Sequence, residues 1–291
     1  MKLSEKLIIG TANFGNNYGV IQTKVNKTDF EKIINKCSKF DIDKFDIGES
    51  YKVSKKYINK IKKKKIILKF DFSKSFSDRI NPQKVKKKIL NFLIKNNLKK
   101  VDTILLHNQN DLLSVNGKSI YIALLMLKKE KIMLNLGVSF YDTLILKKVL
   151  NKYKVDTIQI PINLFNSDFI KPSLVKLYKK LNLKIYARSI FLQGLLLNFD
   201  NNDIYIKKFK KFKNILDYLK TLQAKNKISA LEHALSFVCN IKFITGILIG
   251  IDNEKHLQEI IKTKIIKIPK FSKPIPLDLK DPRKWSVIVG K

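Results

Sequence analysis

Short apolar runs recur along the chain, and between them lie longer stretches in which apolar residues return at helical spacing with lysines filling the gaps. A run of four to eight apolar residues bounded by polar turns suits a strand buried on both faces, and a 3.6-residue period suits a helix packed by one face. The runs predict strands at Leu7 to Gly10, Phe45 to Gly48, Ile66 to Phe70, Asp102 to His107, Leu134 to Ser139, Asp156 to Ile160, Lys184 to Ala187 and Phe243 to Gly250. The stretches between them predict helices at Thr28 to Phe40, Ser54 to Lys63, Pro82 to Asn97, Lys118 to Lys131, Asp142 to Lys152, Asp168 to Leu181 and Asn253 to Lys262. Thr28, Asp142, Asp168 and Asp252 are of the types that cap helices, and Pro82 suits a first turn. A longer segment, Ile204 to Cys239, divides near Asn226 into two extra helices.

Eight strands interleaved with helices in under 300 residues fit one (β/α)8 barrel, the TIM barrel of the α/β class, better than an open doubly wound sheet. There is neither a linker nor a GxGxxG segment, so residues 1–291 read as a single barrel domain with extra helices around 204–239. The tail 265–291 holds Pro269, Pro274, Pro276 and Pro282; it cannot form one continuous helix and is expected to wrap over the barrel. Trp285 is expected to anchor that tail to the barrel wall, with closure over the mouth as the alternative.

The formal charge of +35 would ordinarily point to nucleic acid or an anionic membrane. Of the 59 basic residues, however, only Arg79, Arg188 and Arg283 are arginine, and guanidinium forks are the usual tool for reading phosphates and bases. The lysine excess therefore reads as coding bias accompanying the many Ile and Asn residues, and no specific nucleic-acid partner is expected. Lysine runs such as Lys62 to Lys65 read as solvated helix ends. Cys37 and Cys239 are too few for a disulfide framework or a zinc site and read as buried structural thiols in a reducing compartment. With no signal-length apolar run at the start and no 18-residue apolar span, a cytoplasmic protein without a membrane partner is the expectation.

In such a barrel, chemistry sits at the C-terminal strand ends. Asp46 lies within the second predicted strand, Tyr51 just beyond it, Lys69 near the end of the third and His107 at the end of the fourth, so adjacent strands aim all four at one mouth. These types suit proton delivery to a carbonyl oxygen. A phenol of pKa about 10 becomes a better donor beside a cation. Lys69, inside the apolar run ILKF, supplies that charge, Asp46 compensates its burial, and His107 orients the substrate oxygen. Taken singly, each residue has a plainer reading: His107 a structural histidine, Tyr51 a half-buried aromatic, Asp46 a turn cap. Gly10, Gly15 and Gly19 likewise suit turns. His233 and His256 read as surface or helix residues.

Across nearly the whole length the sequence resembles the aldo/keto reductase family. GTANFGNNYG is similar to the family's first-strand glycine segment, FDIGESY to its FDTA...Y motif, and ILKF and LLHNQND to its lysine and histidine strands. LGVSFYD, IQIPINLFN and YARSIFLQGLL then follow in the order of the family's fifth-, sixth- and seventh-strand segments. The resemblance implies an NAD(P)-dependent oxidoreductase that reduces an aldehyde or ketone, sugar-derived carbonyl compounds among the expected substrates, with Tyr51 as acid, Lys69 and Asp46 as its tuning pair and His107 orienting the substrate. It implies no metal.

The resemblance also implies a nicotinamide cofactor extended across the mouth. Gly10 and Thr11 would line its nicotinamide end, Ser139 and Gln159 would hold the carboxamide, and Arg188 would stand where relatives carry a stacking aromatic. Ser189, Phe191, Gln193 and Gly194 would cradle the pyrophosphate, and Gly250, Asp252, Asn253 and Gln258 would neighbour the adenosine. Asp252 would repel a 2′-phosphate and Lys255 would offset that, so NADPH is expected with NADH as the alternative. Glu49, Ser50 and Lys52 depart from the family's small residues around the tyrosine. Two rivals stand beside the enzyme: a cofactor-binding redox sensor with little turnover, and polyanion binding driven by net charge. Physiological substrate, reaction direction and oligomeric state stay open.

Overall fold

Eight parallel strands pair in chain order and close into a barrel: β1 (Leu7–Gly10), β2 (Lys44–Gly48), β3 (Lys65–Phe70), β4 (Val101–Leu106), β5 (Met133–Ser139), β6 (Thr157–Pro161), β7 (Lys184–Arg188) and β8 (Gly246–Gly250). This is the predicted (β/α)8 architecture. The computed structural model describes residues 2–51, 53, 55–73 and 78–285, so Lys52 and Ser54 lie outside the described residues, as does the tail beyond Trp285. Helices Lys27–Lys39, Lys55–Ile61, Pro82–Lys95, Gly117–Lys129, Thr143–Lys152, Pro172–Lys180 and Glu254–Lys262 ring the barrel. Between β7 and β8 the chain forms Leu195–Asn198, Asp203–Lys208, Lys213–Lys225 and Ala230–Cys239. The expected division near Asn226 is there, but the first half is broken again by a 3₁₀ turn at Lys210–Phe212.

Several expected boundaries move for local reasons. Asn26, not Thr28, caps the first large helix by accepting from the Asp29 amide. Asn253 replaces Asp252 as the last helix's cap, while Asp168 opens a short 3₁₀ turn, with the helix itself starting at Pro172. Asp142 and Pro82 stand where expected. β8 starts at Gly246, later than Phe243: at Thr245 the amide and hydroxyl both donate to the Ile185 carbonyl, and the hydroxyl, not a backbone carbonyl, accepts from the Ile185 amide. Lys65 is not a helix end: it opens β3 and pairs with Asp43 at 2.7 Å. His233 is fully buried inside Ala230–Cys239, and Cys239 is only half-buried where Cys37 is buried.

The apolar residues sort into three clusters. The largest fills the space between strands and helices, with Ile9, Phe45, Ile47, Ile66 and Leu68 pointing outward from the barrel. A small cluster of Ile8, Ile67, Leu105 and Tyr186, with Leu248 against it, is separate from that layer and plugs the barrel interior. Side chains alternate faces along a strand, so the residues two further on point the same way. Those are Gly10, Lys69, His107, Arg188 and Gly250, and all five line one cavity at the C-terminal mouth. The third cluster joins the extra helices to the tail and includes Leu195, Tyr205, Phe209, Leu219 and Trp285. Among the described residues no helix is long and apolar enough to cross a membrane.

Trp285 is 2% exposed, meets the Phe209 ring edge-on at 4.8 Å and donates from Nε1 to the Leu279 carbonyl at 3.2 Å. It is off the cavity wall, so it anchors the tail and does not close the mouth, but the anchorage is to the cluster of the extra helices and not to the barrel wall as expected. Trp285→Ala is expected to lower stability by about 3–5 kcal/mol in urea unfolding, the usual cost of emptying a buried indole site. A loss under 1 kcal/mol would count against the anchor.

Candidate active site

The register of β2 and β3 sets Gly48 beside Lys69 and Asp46 beside Ile67, so the two charged residues stand on adjacent strands two register positions apart, both on the inward face. Lys69 Nζ lies 2.8 Å from Asp46 Oδ1, with only 4% and 1% of the side chains exposed. Such a pair persists in a dry interior only when its remaining groups are satisfied. Gln159 Nε2 donates to Asp46 Oδ2 at 3.0 Å, and Lys69 donates to Tyr51 Oη at 3.3 Å. The Thr11 hydroxyl and amide both donate to the Asp46 carbonyl, at 2.8 and 3.1 Å, fixing the strand that carries the carboxylate.

Tyr51 arrives from the 3₁₀ turn Glu49–Tyr51, folded so tightly on β2 that a Cβ at Gly48 would stand 2.7 Å from its ring. The departures Glu49 and Ser50 therefore leave the tyrosine in place. Glu49 turns aside to pair with Lys88 at 3.1 Å, and the Asn16 side-chain amide donates to the Tyr51 carbonyl. The segment carrying Asn16 bends through Gly15 and Gly19, each at φ +80, a region only glycine enters freely, and lays Tyr18 and Gly19 along the cavity. His107 meets the Tyr51 ring edge-on at 6.0 Å between centroids.

Burial, and then the Asp46 charge, hold the Tyr51 phenol well above its ordinary pKa, opposite to the expected lowering by Lys69. The reason is geometric: Lys69 spends its charge on Asp46 at 2.8 Å, so little remains to favour phenolate. Tyr51 is thus fully protonated at neutral pH. Burial and the Lys69 ammonium push His107 down to about 4, so it is a neutral imidazole.

These groups open on a cavity of about 720 Å³. Of the residues expected to hold a cofactor, Gly10, Arg188, Ser189, Phe191, Gln193, Gly194, Gly250 and Asp252 line it. Thr11, Ser139, Gln159, Asn253 and Gln258 do not; Asn253 caps its helix, and Gln258 accepts from Lys36 at 2.7 Å. Ser139, the last residue of β5, and Gln159, in the middle of β6, are register partners, and Ser139 Oγ and Gln159 Oε1 are buried without a hydrogen-bond partner. One hydroxyl and one amide oxygen left unsatisfied side by side fit a ligand carboxamide, which offers both a donor and an acceptor. The loop after β7 also fits an extended ligand: Ser189, Leu192, Gln193 and Gly194 all have positive φ, strain of the kind that gathers at ligand clamps, and Tyr205 Oη braces the loop by donating to the Gln193 carbonyl at 2.5 Å.

Other wall residues were not singled out from the sequence. Asn13 donates to Asp252 Oδ1 at 2.9 Å and to the Ile251 carbonyl at 3.0 Å. His256, read as a surface or helix residue, lies on the wall 3.6 Å from Asp252, whereas Lys255 is exposed and off it. Tyr141 and Arg283 close the catalytic end. Arginine's rarity was the signal for Arg283; Tyr141, one of ten tyrosines, carried none.

A closed parallel barrel with a buried carboxylate, ammonium, phenol and neutral imidazole converging at its C-terminal mouth has the architecture of a barrel enzyme. The Aldo/keto reductase family model matches residues 6–271, and the chain belongs to that family of oxidoreductases, which generally use NAD(P)H. Among solved structures, the chain is similar to the glycerol dehydrogenase AKR11B4 from Gluconobacter oxydans, at 18% identity, TM-score 0.66 and coverage of 98% of this chain and 91% of that one. It is also similar to a protein assigned to the aldo-keto reductases from Pseudomonas aeruginosa, at 14% identity, TM-score 0.63 and 89% coverage of both chains. A third is Gox0644 in its apo form, at 13% identity, TM-score 0.60 and coverage of 96% and 88%. At these identities the likeness is one of fold. No curated protein matches the sequence.

Two outcomes follow from the site's electrostatics. Asp46→Ala, which strands a buried ammonium, is expected to cost about 3–5 kcal/mol in denaturant unfolding, and adding Lys69→Met should restore most of it; equal losses in single and double variants would refute the coupling. His107 binds its proton only near pH 4 when folded and near 6.5 when unfolded, so the unfolded chain holds more protons between those values. Its stabilising contribution is therefore complete above about pH 6.5 and is lost as pH falls towards 4, by up to about 3 kcal/mol. Urea midpoints at pH 7 and 4.5 should differ less in His107→Gln than in the parent, and the His107 ring proton resonance should titrate near 4.

Proposed function

We propose that this protein reduces an aldehyde or ketone to an alcohol, with Tyr51 giving the proton. The observation that carries the reading is the Asp46–Lys69–Tyr51 chain, 2.8 and 3.3 Å link by link, ending on a protonated phenol at the cavity wall. When bound, the nicotinamide cofactor supplies the hydride.

The protein's own groups account for the rest. Ser139 and Gln159 would hold the carboxamide, the Ser189–Gly194 loop the pyrophosphate, and the wall at Gly250 and Asp252 the adenosine end. The substrate oxygen meets Tyr51 Oη and the His107 ring, and His107, being neutral, can donate one hydrogen bond without contributing charge. As charge builds on that oxygen it becomes far more basic than a phenolate and takes the Tyr51 proton. Lys69 already donates to Tyr51 Oη, so the phenolate left behind keeps that one hydrogen bond while the ammonium stays paired with Asp46. The buried Asp46 keeps Lys69 charged and aimed throughout.

Support for the substrate class is limited to carbonyl compounds, with a polyol-linked carbonyl among them because one structural neighbour is a glycerol dehydrogenase. NADPH is the proposed cofactor with NADH as its competitor. Asp252, held by Asn13, would oppose a 2′-phosphate, and Lys255 is the nearby cation that would offset it.

The test is Tyr51→Phe, assayed with glyceraldehyde and both cofactors. Carbonyl reduction is expected to fall by about 100- to 10,000-fold, the range for losing a positioned acid, with cofactor affinity by calorimetry within a factor of about three of the parent's. Full activity in a folded, cofactor-binding Tyr51→Phe would remove the mechanism; cofactor binding with no reduction by the parent across carbonyl substrates would favour the redox-sensor reading.

A further inference from the structure

The catalytic end of the cavity holds one cation more than the reduction uses. Among the described residues three lysine or arginine side chains line the cavity: Lys69, Arg188 and Arg283. Lys69 is matched by Asp46 at 2.8 Å, and Arg283 is gripped at 2.6–3.1 Å by both carboxylate oxygens of Asp281. Arg188 makes an ion pair with neither carboxylate, although its charge reaches Asp281, which two guanidiniums therefore share. It is 8% exposed, its Nη2 donates to the Phe140 carbonyl and its Nη1 to the Ser189 hydroxyl, each at 3.1 Å, and its buried Nε has no partner. Among the described residues no carboxylate pairs with it.

The side chain is nonetheless held rigidly. Its guanidinium lies 3.8 Å from the centroid of the Tyr141 ring, and that of Arg283 lies 3.9 Å from the same centroid. Two groups so close to one ring need its two faces, so Tyr141 separates the two cations and fixes the plane of each. Two of the chain's three arginines are thus spent on this one spot among 59 basic residues, where lysine is the default. A buried, unmatched charge is costly unless a counter-ion arrives. A neutral ring stacked on Arg188 would leave the charge standing; an anion cancels it. The imbalance is a single positive charge, which one carboxylate neutralises and a phosphate dianion overshoots. A planar fork with donors to spare after two bonds is also the geometry that takes a carboxylate through paired hydrogen bonds. Arg188 shares its wall with Tyr51 and His107, and its field acts on both.

We propose that the carbonyl compound reduced here is an oxo acid, whose carboxylate is held by Arg188 against Tyr141 while its carbonyl oxygen meets Tyr51 and His107. This rests on the reductase reading above. The reaction conserves the carboxylate: hydride adds to the carbonyl carbon, the Tyr51 proton to its oxygen, and a hydroxy acid leaves.

The test compares 4-oxobutanoate with its uncharged methyl ester, and glyceraldehyde 3-phosphate with glyceraldehyde. The holoenzyme is expected to favour 4-oxobutanoate over the ester by at least tenfold in kcat/KM, mainly through KM, and to show a smaller preference within the phosphate pair. Arg188→Gln should bring the carboxylate ratio close to one, and Arg188→Lys should restore part of it. Calorimetry with succinate, which cannot be reduced, should show binding to the parent that Arg188→Gln loses. Reduction of both members of the carboxylate pair at equal efficiency would overturn the assignment and leave the reductase reading intact, as would a preference confined to the phosphate pair. An unchanged ratio in Arg188→Gln together with weakened cofactor affinity would also overturn it, by assigning the charge to the cofactor's pyrophosphate. No reduction of any of the four compounds would refute the underlying reduction, and succinate binding would then report on the anion site alone.

Discussion

Burying Lys69 beside Asp46 is the constraint around which the barrel mouth is arranged. Neither side chain tolerates a dry interior alone, and together they do so only because the barrel satisfies what the pair leaves over: Gln159 on the second carboxylate oxygen, Tyr51 on the ammonium, Thr11 on the strand beneath. Each of those partners comes from a different segment, so the pair ties β1, β2, β3, β6 and the turn after β2 into one network. The apolar plug of Ile8, Ile67, Leu105 and Tyr186 lies on the same inward face below it and keeps water from the pair's underside. Water there would weaken the attraction and free the lysine; its exclusion keeps the ammonium pointed at the phenol.

The plug and the site are also consecutive layers of one alternation. On five strands an apolar plug residue is followed two positions later by a cavity residue: Ile8 by Gly10, Ile67 by Lys69, Leu105 by His107, Tyr186 by Arg188 and Leu248 by Gly250. Where the layer needs room for a ligand it carries glycine, and where it needs chemistry it carries a titratable group. A slip of one residue in any of these strands would turn its functional side chain into the helix layer. The site's precision therefore comes from strand register, with loops adding Tyr51, Tyr18 and the strained segment after β7.

That division explains what was legible in the sequence. Lys69 stood out because an ammonium in ILKF contradicts the run around it, and Asp46, Tyr51 and His107 gained meaning from their order on neighbouring strands. The barrel itself followed from counting buried runs. Asp252 and Asn253 are adjacent and both chemically able to cap, so pattern alone could not say which one turns back to the helix. Gln258 looked available but is taken by Lys36, more than 200 residues earlier in the chain. The direction of the Tyr51 shift was misjudged for the same reason: the lysine was legible, whereas its neutralisation by Asp46 depends on a distance that only the fold sets. Tyr141 and Arg283 escaped notice because one lies in a loop and the other in a proline-rich tail, where no period places a side chain.

The tail shows how such a residue reaches the site at all. Trp285 and Leu279 sink into the cluster under the extra helices, and Asp281, between them in sequence, clamps Arg283 in a fixed pose. With both flanks anchored, the guanidinium is delivered to the outer face of Tyr141 without a strand to carry it. The insertion between β7 and β8 thus has a structural task distinct from the barrel's: it supplies the apolar bed on which the tail lies. Arg188 comes from the barrel and Arg283 from the tail, and they meet only through the ring between them. Among the described residues Asp281 grips the tail's arginine and no carboxylate makes an ion pair with the barrel's, so two guanidiniums share the field of one carboxylate and the pair presents one net positive charge at the catalytic end.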